Sequence, residues 1–342
     1  MEFDLIDRIR ARVASRPDVV LGIGDDAAIL QMPADRQLVV ATDTLNAGVH
    51  FPLDTAPADI GWKALAVNLS DLAAMAAEPA WCTLSLSLPD SDADWLDGFL
   101  DGFLDLAARH HVALVGGDTT RGPLSIGVTV HGLVEPGRAL RRDGARAGDD
   151  IWVTGTLGDA AGALALLQRA SEPVLTSACE AGPILPADAA VDTHIPEALS
   201  DLRLRLDRPT PRVAIGLALA GVARSGIDIS DGLLADLGHV CTGSRIAAEM
   251  EIDRLPFSRA LAARFGDDRR RELQSAGGDD YELCFTADPS MRGRIEAIAA
   301  ETATPITRIG RMVEGEGEGV RAVDRDGVYW QPRQSGYVHF GD

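Results

Sequence analysis

The chain has 342 residues, 46% hydrophobic and 25% charged, and its 52 acidic against 32 basic side chains give a formal charge of −20. That balance is expected of a soluble globular protein and repels a nucleic-acid backbone, while no apolar run approaches a membrane span. The cysteines, Cys82, Cys179, Cys241 and Cys284, form no CxxC pair, so neither a zinc site nor a disulfide framework is expected, and a reducing cytoplasm is the expected compartment.

The length predicts two compact α/β units of roughly 150 residues each. MEFDLIDRIRARV sets Phe3, Ile6, Ile9 and Val13 at helical spacing among charges, unlike a signal peptide. ILQMPADRQLVVATDT predicts two short strands around a turn at Pro33, Pro57 to Ala77 a helix, and WCTLSLSLP a strand ending at Pro89. Asp92 to His110 follows as an amphipathic helix, HVALVGGD as a buried strand meeting a glycine turn, and SIGVTVHGLV as an alternating strand. EPGRALRRDGARAGD combines turn and charge signals and predicts a linker. DIWVTGTLGDAAGALALL opens a second unit as strand, glycine turn and helix, and further alternations run to Gly310. Residues 171–200 are the least periodic and predict a mobile insertion.

Carboxylates recur beside small residues or inside apolar helices. LGIGDDAAIL holds Asp25 and Asp26 ahead of an apolar run expected to be buried, ATDTL places Asp43 at a strand end, NLSDLAAM sets Asp71 within a helix, and VGGDTTRGP puts Asp118 after two glycines. IDISDGLLADLG adds Asp228 and Asp231, and GGDDYELCF adds Asp279 and Asp280. A hard divalent cation such as Mg2+ takes oxygen ligands and is held by a few carboxylates together with substrate phosphates, so dispersed carboxylates of this kind predict a multi-metal site at strand ends. Singly, Asp43 and Asp118 can shape turns, and Ser230 or Asp231 can cap the helix that begins LLADLG. Asp71 resists such an account, because an aspartate among Leu69, Leu72 and Ala73 opposes both helix propensity and burial.

Two phosphate motifs are set aside. Gly22, Gly24 and Ala27 match the dinucleotide fingerprint, but only five residues separate Ala27 from Pro33, too few for the helix that must receive the pyrophosphate. A Walker A loop requires a lysine before Ser or Thr, and the sole lysine of the chain, Lys63, stands in GWKALAV. Positive charge for phosphate must then come from metal ions and arginine.

GIGDDAA, TDTL with NAGVHF, KALAVNLSDLAAM, GGDTTRGPLS, GDDIWVTGTLGDAA, IDISDGLLADLGH and GGDDYELCFT, in this order, resemble the thiamine-monophosphate kinases, and the likeness runs on to the terminal GYVHF. The resemblance implies an α/β (α+β) chain of the two-domain aminoimidazole-ribonucleotide-synthetase type, with the N-terminal sheets of a homodimer paired into a barrel. The implied division is residues 1–137 for ATP, Mg2+ and dimerisation, a linker at 138–148, and 149–342 completing the substrate site. It further implies Mg2+ ligands at Asp26, Thr42, Asp43, Asp71, Asp118, Asp228 and Asp231, and ATP contacts at Gly117, Asp118, Arg142 and Ser230. Contacts to thiamine monophosphate fall at His50, Asp279 and Tyr337, where a structural turn role for His50 and C-terminal packing for Tyr337 are the alternatives. Asp279 departs from the glutamate of the family's usual GGEDYEL, which shortens the carboxylate by a methylene. The implied activity is ATP-dependent phosphorylation of thiamine monophosphate by direct in-line transfer assisted by several Mg2+ ions. No general base is needed, because a phosphate monoester oxygen is already largely ionised near neutral pH. A synthetase of the same superfamily acting through a phosphorylated intermediate, and a non-catalytic Ca2+-binding protein, remain the alternatives; contiguous calcium loops of the D-x-[DN]-x-[DN]-G type are not present.

Overall fold

The computed structural model describes residues 2–14, 16–171, 195–315, 319–333 and 336. In its first half come α1 (Glu2–Arg12), β1 (Val19–Leu21), β2 (Ile29–Leu30), β3 (Gln37–Asn46), α2 (Pro57–Ala74), β4 (Glu78–Leu88), α3 (Ala93–Arg109), β5 (Ala113–Arg121) and β6 (Ser125–Val134). The second half contains β7 (Asp150–Thr154), α4 (Asp159–Ser171), α5 (Ile195–Asp207), α6 (Val213–Leu219), β8 (Ser225–Asp228), α7 (Leu233–Ser244) and β9 (Ala247–Glu251). It ends with α8 (Arg259–Arg264), α9 (Asp267–Ala276), β10 (Leu283–Ala287), α10 (Arg292–Glu301), β11 (Ile306–Val313), β12 (Val320–Val323) and β13 (Tyr329–Trp330). Of the stretch 171–200 expected as an insertion, residues 172–194 lie outside the described residues.

Two sheets organise the chain. One has the order β3-β6-β4-β5 and the other β13-β12-β9-β11-β7-β10-β8. Pairing is antiparallel except for β4 with β5 and β12 with β9, so the arrangement is α+β in character. In the first sheet the period-2 pattern sorts side chains by face: Ile126, Val128 and Val130 of β6 and Leu84, Leu86 and Leu88 of β4 are buried, while Ser, Thr and Gly fill the alternate positions. Helices α2 and α3 cover the apolar face. Pro57 opens α2 at its first turn, where a missing N–H is harmless, and the Asp92 carboxylate caps α3 by accepting from the Asp94 and Trp95 N–H groups.

Helix α2 is buried on nearly all sides. A Cβ at Gly102 of α3 would lie 1.7 Å from the Ala58 carbonyl oxygen, and one at Gly216 of α6 would lie 2.1 Å from that of Ala73. Backbone therefore meets backbone on both flanks of α2. The main apolar cluster joins α2 and α3 to Trp152, Val213, Ile215, Leu219 and Phe285 of the second half, so the two halves share one core. A second cluster packs α7 on the seven-stranded sheet, and a third joins α4, α5, α8 and α9.

The structure departs from the sequence expectation at three places. Strand β5 continues through Gly116, Gly117 and Asp118 to Arg121, with a shift of register against β4 at Val115, instead of turning at the glycines. The apolar run after Asp26 is not buried in this chain, since Ile29 is 54% exposed. The linker has no regular structure, yet it is pinned: Leu140 donates to the Met75 carbonyl at 3.0 Å, and Ser244 Oγ to the Arg142 carbonyl at 2.9 Å. No helix among the described residues is long and apolar enough to cross a membrane.

Candidate active site

Three carboxylates from three elements meet where α2 passes between the sheets. Strand β3 turns Asp43 toward the helices and Thr42 toward the opposite face. Because β3 is an edge strand, the Asp43 N–H has no ladder partner, and it donates to Asn68 Oδ1 of α2 at 2.9 Å. Asp71 follows Asn68 by three positions on the same face of α2, and Asp228 ends β8. Asp43, Asp71, Asp228, Ser230, Asp231 and His50 line one cavity of about 570 Å³. Asp71 and Asp228 also line a neighbouring cavity of about 620 Å³ with Thr42 and Arg142.

The electrostatics show what this cavity lacks. Burial raises the Asp71 carboxyl far above the usual range, and repulsion from Asp228 and Asp43 raises it further, against partial relief from Arg142. Burial and the Asp43 charge raise Asp228. Asp43 is raised by burial, opposed by His50 and reinforced by Asp231. Among the described residues no ion pair involves Asp43, Asp71, Asp228 or Asp231, and no three histidine, cysteine or carboxylate side chains form a ready-made metal cage.

Two loops close the far side. The Asp279 N–H donates to the Ser230 carbonyl at 2.9 Å and the Tyr281 N–H to the Ile229 carbonyl at 2.8 Å, which locks GGDDY onto DISD. Asp279 and Tyr281 sit at φ 67° and 49°, left-handed backbone that side chains avoid unless the surroundings impose it. Asp280 has a structural role: it is buried, and both of its oxygens accept the Gly158 N–H at 2.9 Å. Neither Ser230 nor Asp231 caps α7, whose N-cap is Gly232. Instead Asp236 Oδ2 reaches back to the N–H groups of Ser230, Asp231 and Gly232 at 3.0, 3.2 and 3.1 Å. Burial and the charges of Asp228 and Asp231 lift Asp236 to about 7.

Asp236, Asn68 and Lys63 escape the motif reading. Lys63 is 1% exposed, and its Nζ donates to the His50 carbonyl at 2.9 Å and to Asp279 Oδ2 at 3.0 Å. His50 also closes its own turn, since its Nδ1 accepts the Asn46 N–H at 3.0 Å. The turn role and the cavity position therefore coexist. Tyr337 lies outside the described residues.

The remaining carboxylates stand apart. Asp25, Asp26, Gly117 and Asp118 line a separate cavity of about 730 Å³ between α1, the segment after β1 and β5. No helix follows the glycines there, as the rejected dinucleotide fingerprint would require; Asp25 and Asp26 lie in a bend ahead of β2, and Asp25 Oδ1 accepts the Asp26 N–H at 2.8 Å. A Cβ at Gly117 would come within 1.8 Å of the Leu84 carbonyl oxygen, so β4 and β5 approach fully only at glycine. A groove of about 460 Å³ across the Ser/Thr-rich face of the first sheet runs between Asp118 and Thr42.

An acidic cavity closes between two sheet-and-helix halves, with carboxylates from both. The family model for "AIR synthase related protein, N-terminal domain" matches residues 24–134. The thiamine-monophosphate kinase of Escherichia coli K12 is 45% identical over 340 residues, 99% of this chain and 98% of that protein. The crystal structure of thiamine-monophosphate kinase from Stenotrophomonas maltophilia K279a superposes with a TM-score of 0.83 at 54% identity, over 95% of this chain and 96% of that one. The structure of AaThiL complexed with AMPPCP and TMP gives a TM-score of 0.73 at 32% identity, over 99% and 97%. The chain belongs to the thiamine-monophosphate kinase family.

Proposed function

We propose that this chain is an ATP-dependent kinase that converts thiamine monophosphate to thiamine diphosphate. A phosphate oxygen of the acceptor attacks the γ-phosphorus of ATP in line, the β–γ bridging oxygen leaves with ADP, and no phosphoenzyme forms. The observation that carries this is the convergence of Asp43, Asp71 and Asp228, from both halves of the chain, on one cavity in which burial and mutual repulsion outweigh the relief that Arg142 and His50 give their charged forms. The AaThiL complex with an ATP analogue and TMP supports the same pair of substrates.

The donor set fits a hard divalent cation: oxygen ligands from three elements beside a cavity that admits water and phosphate. Asp43, Asp71 and Asp228 would hold Mg2+, with Asp231 and Thr42 beside them and with Asp26 and Asp118 serving the donor phosphates from their separate cavity, along the groove that has Asp118 and Thr42 in its lining. Bound there, Mg2+ supplies the positive charge that screens two polyanions from each other. Gly117, Arg142 and Ser230 are the nucleotide contacts, and His50, Asp279 and Tyr337 the thiamine contacts. Asp236 holds the Ser230–Gly232 backbone in place, and the GGDDY loop closes the cavity on the acceptor side.

The functional units are residues 1–137 and 149–342, joined by 138–148. Leu38 and Val40 are 42% and 54% exposed on the open face of the first sheet, and pairing with the same sheet of a second copy would remove them from water. Buried free thiols at Cys82, Cys241 and Cys284 support a reducing compartment, the cytoplasm. With Mg2+, ATP and thiamine monophosphate, the protein should release thiamine diphosphate and ADP in equal amounts, and ATP should raise Tm only when Mg2+ is present. ADP release without thiamine monophosphate, or none with it, overturns the assignment.

A further inference from the structure

Lys63, Val67 and Asp71 stand at i, i+4 and i+8 on α2, so one helical stripe runs over about 12 Å from the buried Lys63 to Val67 and Asp71 on the cavity wall. Asp71 marks its carboxylate end. At the other end the Lys63 ammonium joins the turn after β3, through the His50 carbonyl, to the loop before β10, through Asp279. The second oxygen of Asp279 accepts the Tyr281 hydroxyl at 3.0 Å, so both oxygens are already engaged by the protein. The Asp279 side chain is 30% exposed, which puts this ion pair at the cavity wall rather than inside the apolar core. The pair spans 216 positions of sequence and bridges the two halves of the chain.

We propose that Lys63 is a positioning residue for the acceptor end of the site: it sets the Asp279 carboxylate and the His50 turn at the spacing that thiamine monophosphate requires, and it touches neither ATP nor the reacting phosphates. Asp279 on this account is oriented by Lys63 and Tyr281 before any substrate arrives. The proposal rests on the kinase assignment above, and turnover by the unmodified protein tests that assignment separately.

Lys63→Met keeps the length of the side chain and removes its charge, while Lys63→Gln keeps a neutral donor on a side chain one bond shorter. In the full-length protein with Mg2+ and ATP, both variants should raise KM for thiamine monophosphate about tenfold or more, the scale of a lost charged hydrogen bond, and leave KM for ATP within about twofold. Calorimetric binding of thiamine monophosphate alone should weaken in parallel. The double variant Lys63→Met/Asp279→Asn should bind thiamine monophosphate no worse than the weaker single variant, because the two side chains act as a unit. Unchanged KM for thiamine monophosphate, an equal rise in both KM values, or additive losses in the double variant would overturn the proposal. Failure of both Lys63 variants to fold would also overturn it, by making the residue a staple of the fold.

Discussion

At Asp71 an apolar helix gives up stability to present a charge. Its raised carboxyl means that the folded chain holds a proton there that the unfolded chain has released, so this site favours folding below the ordinary aspartate range and loses that contribution as pH rises through the folded value, about 8. Asp71→Asn should therefore raise the Tm of the metal-free protein at about pH 8 by about 2 °C or more, an advantage that vanishes toward about pH 4. The same variant should lower Mg2+-supported kcat about a hundredfold or more, as a titration of rate against Mg2+ would show. A lower Tm together with normal turnover would contradict both statements. Asp25 and Asp26 separate in a similar way. Asp25 accepts its neighbour's N–H, so Asp25→Ala should cost about 1 kcal/mol in a denaturant melt with turnover kept, whereas Asp26→Asn should lose turnover and keep the melt. Asp71 is legible in the sequence because it interrupts an apolar pattern at a position that solvent cannot explain. Lys63 and Asp236 are not legible as site residues: the carboxylate partner of Lys63 is 216 positions away, and Asp236 resembles an ordinary first-turn acidic residue of a helix.

Helix α2 shows what element-level patterns convey and what they omit. Its extent follows from Pro57 and the apolar run, but its setting depends on glycines in other helices that read only as breaks in helix propensity. Gly102→Ala would push a methyl group into the Ala58 carbonyl and should cost about 2–3 kcal/mol, measured as the denaturant midpoint. Any displacement of α2 moves Lys63 and Asp71 together, so residual turnover should fall with stability. A substitution without effect would mean that α2 and α3 can separate freely. The glycines before Asp118 mislead in the same manner. Gly–Gly ahead of Asp reads as a turn, yet β5 stays paired with β4 through these residues, and glycine is needed at 117 because the Leu84 carbonyl leaves no room for a side chain. The inward and outward faces of β4 and β6 are legible, since period-2 alternation depends on burial alone. The strand order of the second sheet is not, because pairing partners leave no periodic trace in one strand.

Over the whole molecule the formal charge is −20, and Asp43, Asp71 and Asp228 set part of it against one cavity. Asp228, Asp236 and Asp71 are raised to about 6, 7 and 8, so these three groups bind more protons in the folded state than in the unfolded chain across that window, and they outnumber His110 and His131, whose imidazoles burial lowers and which act in the opposite sense. The Tm of the metal-free protein should rise as pH is lowered from about 8 to about 6, and Mg2+ added at the higher pH should recover part of the difference. At lower pH Asp253 and Asp288, whose carboxyls are held down by hydrogen bonds to backbone and arginine, act in the opposite sense and lose their contribution as they protonate. A Tm that falls steadily from about pH 8 to about pH 6 would exclude this account. The burial of Lys63 carries a chemical consequence as well. The chain has one lysine ε-amine, and the native fold encloses it. An amine-acylating reagent should leave that side chain unmodified in the folded protein and modify it once the chain opens, so peptide mass analysis of Lys63 becomes a single-site clock for separation of the two halves. Thiamine monophosphate should slow that clock, and ATP without the acceptor should slow it less.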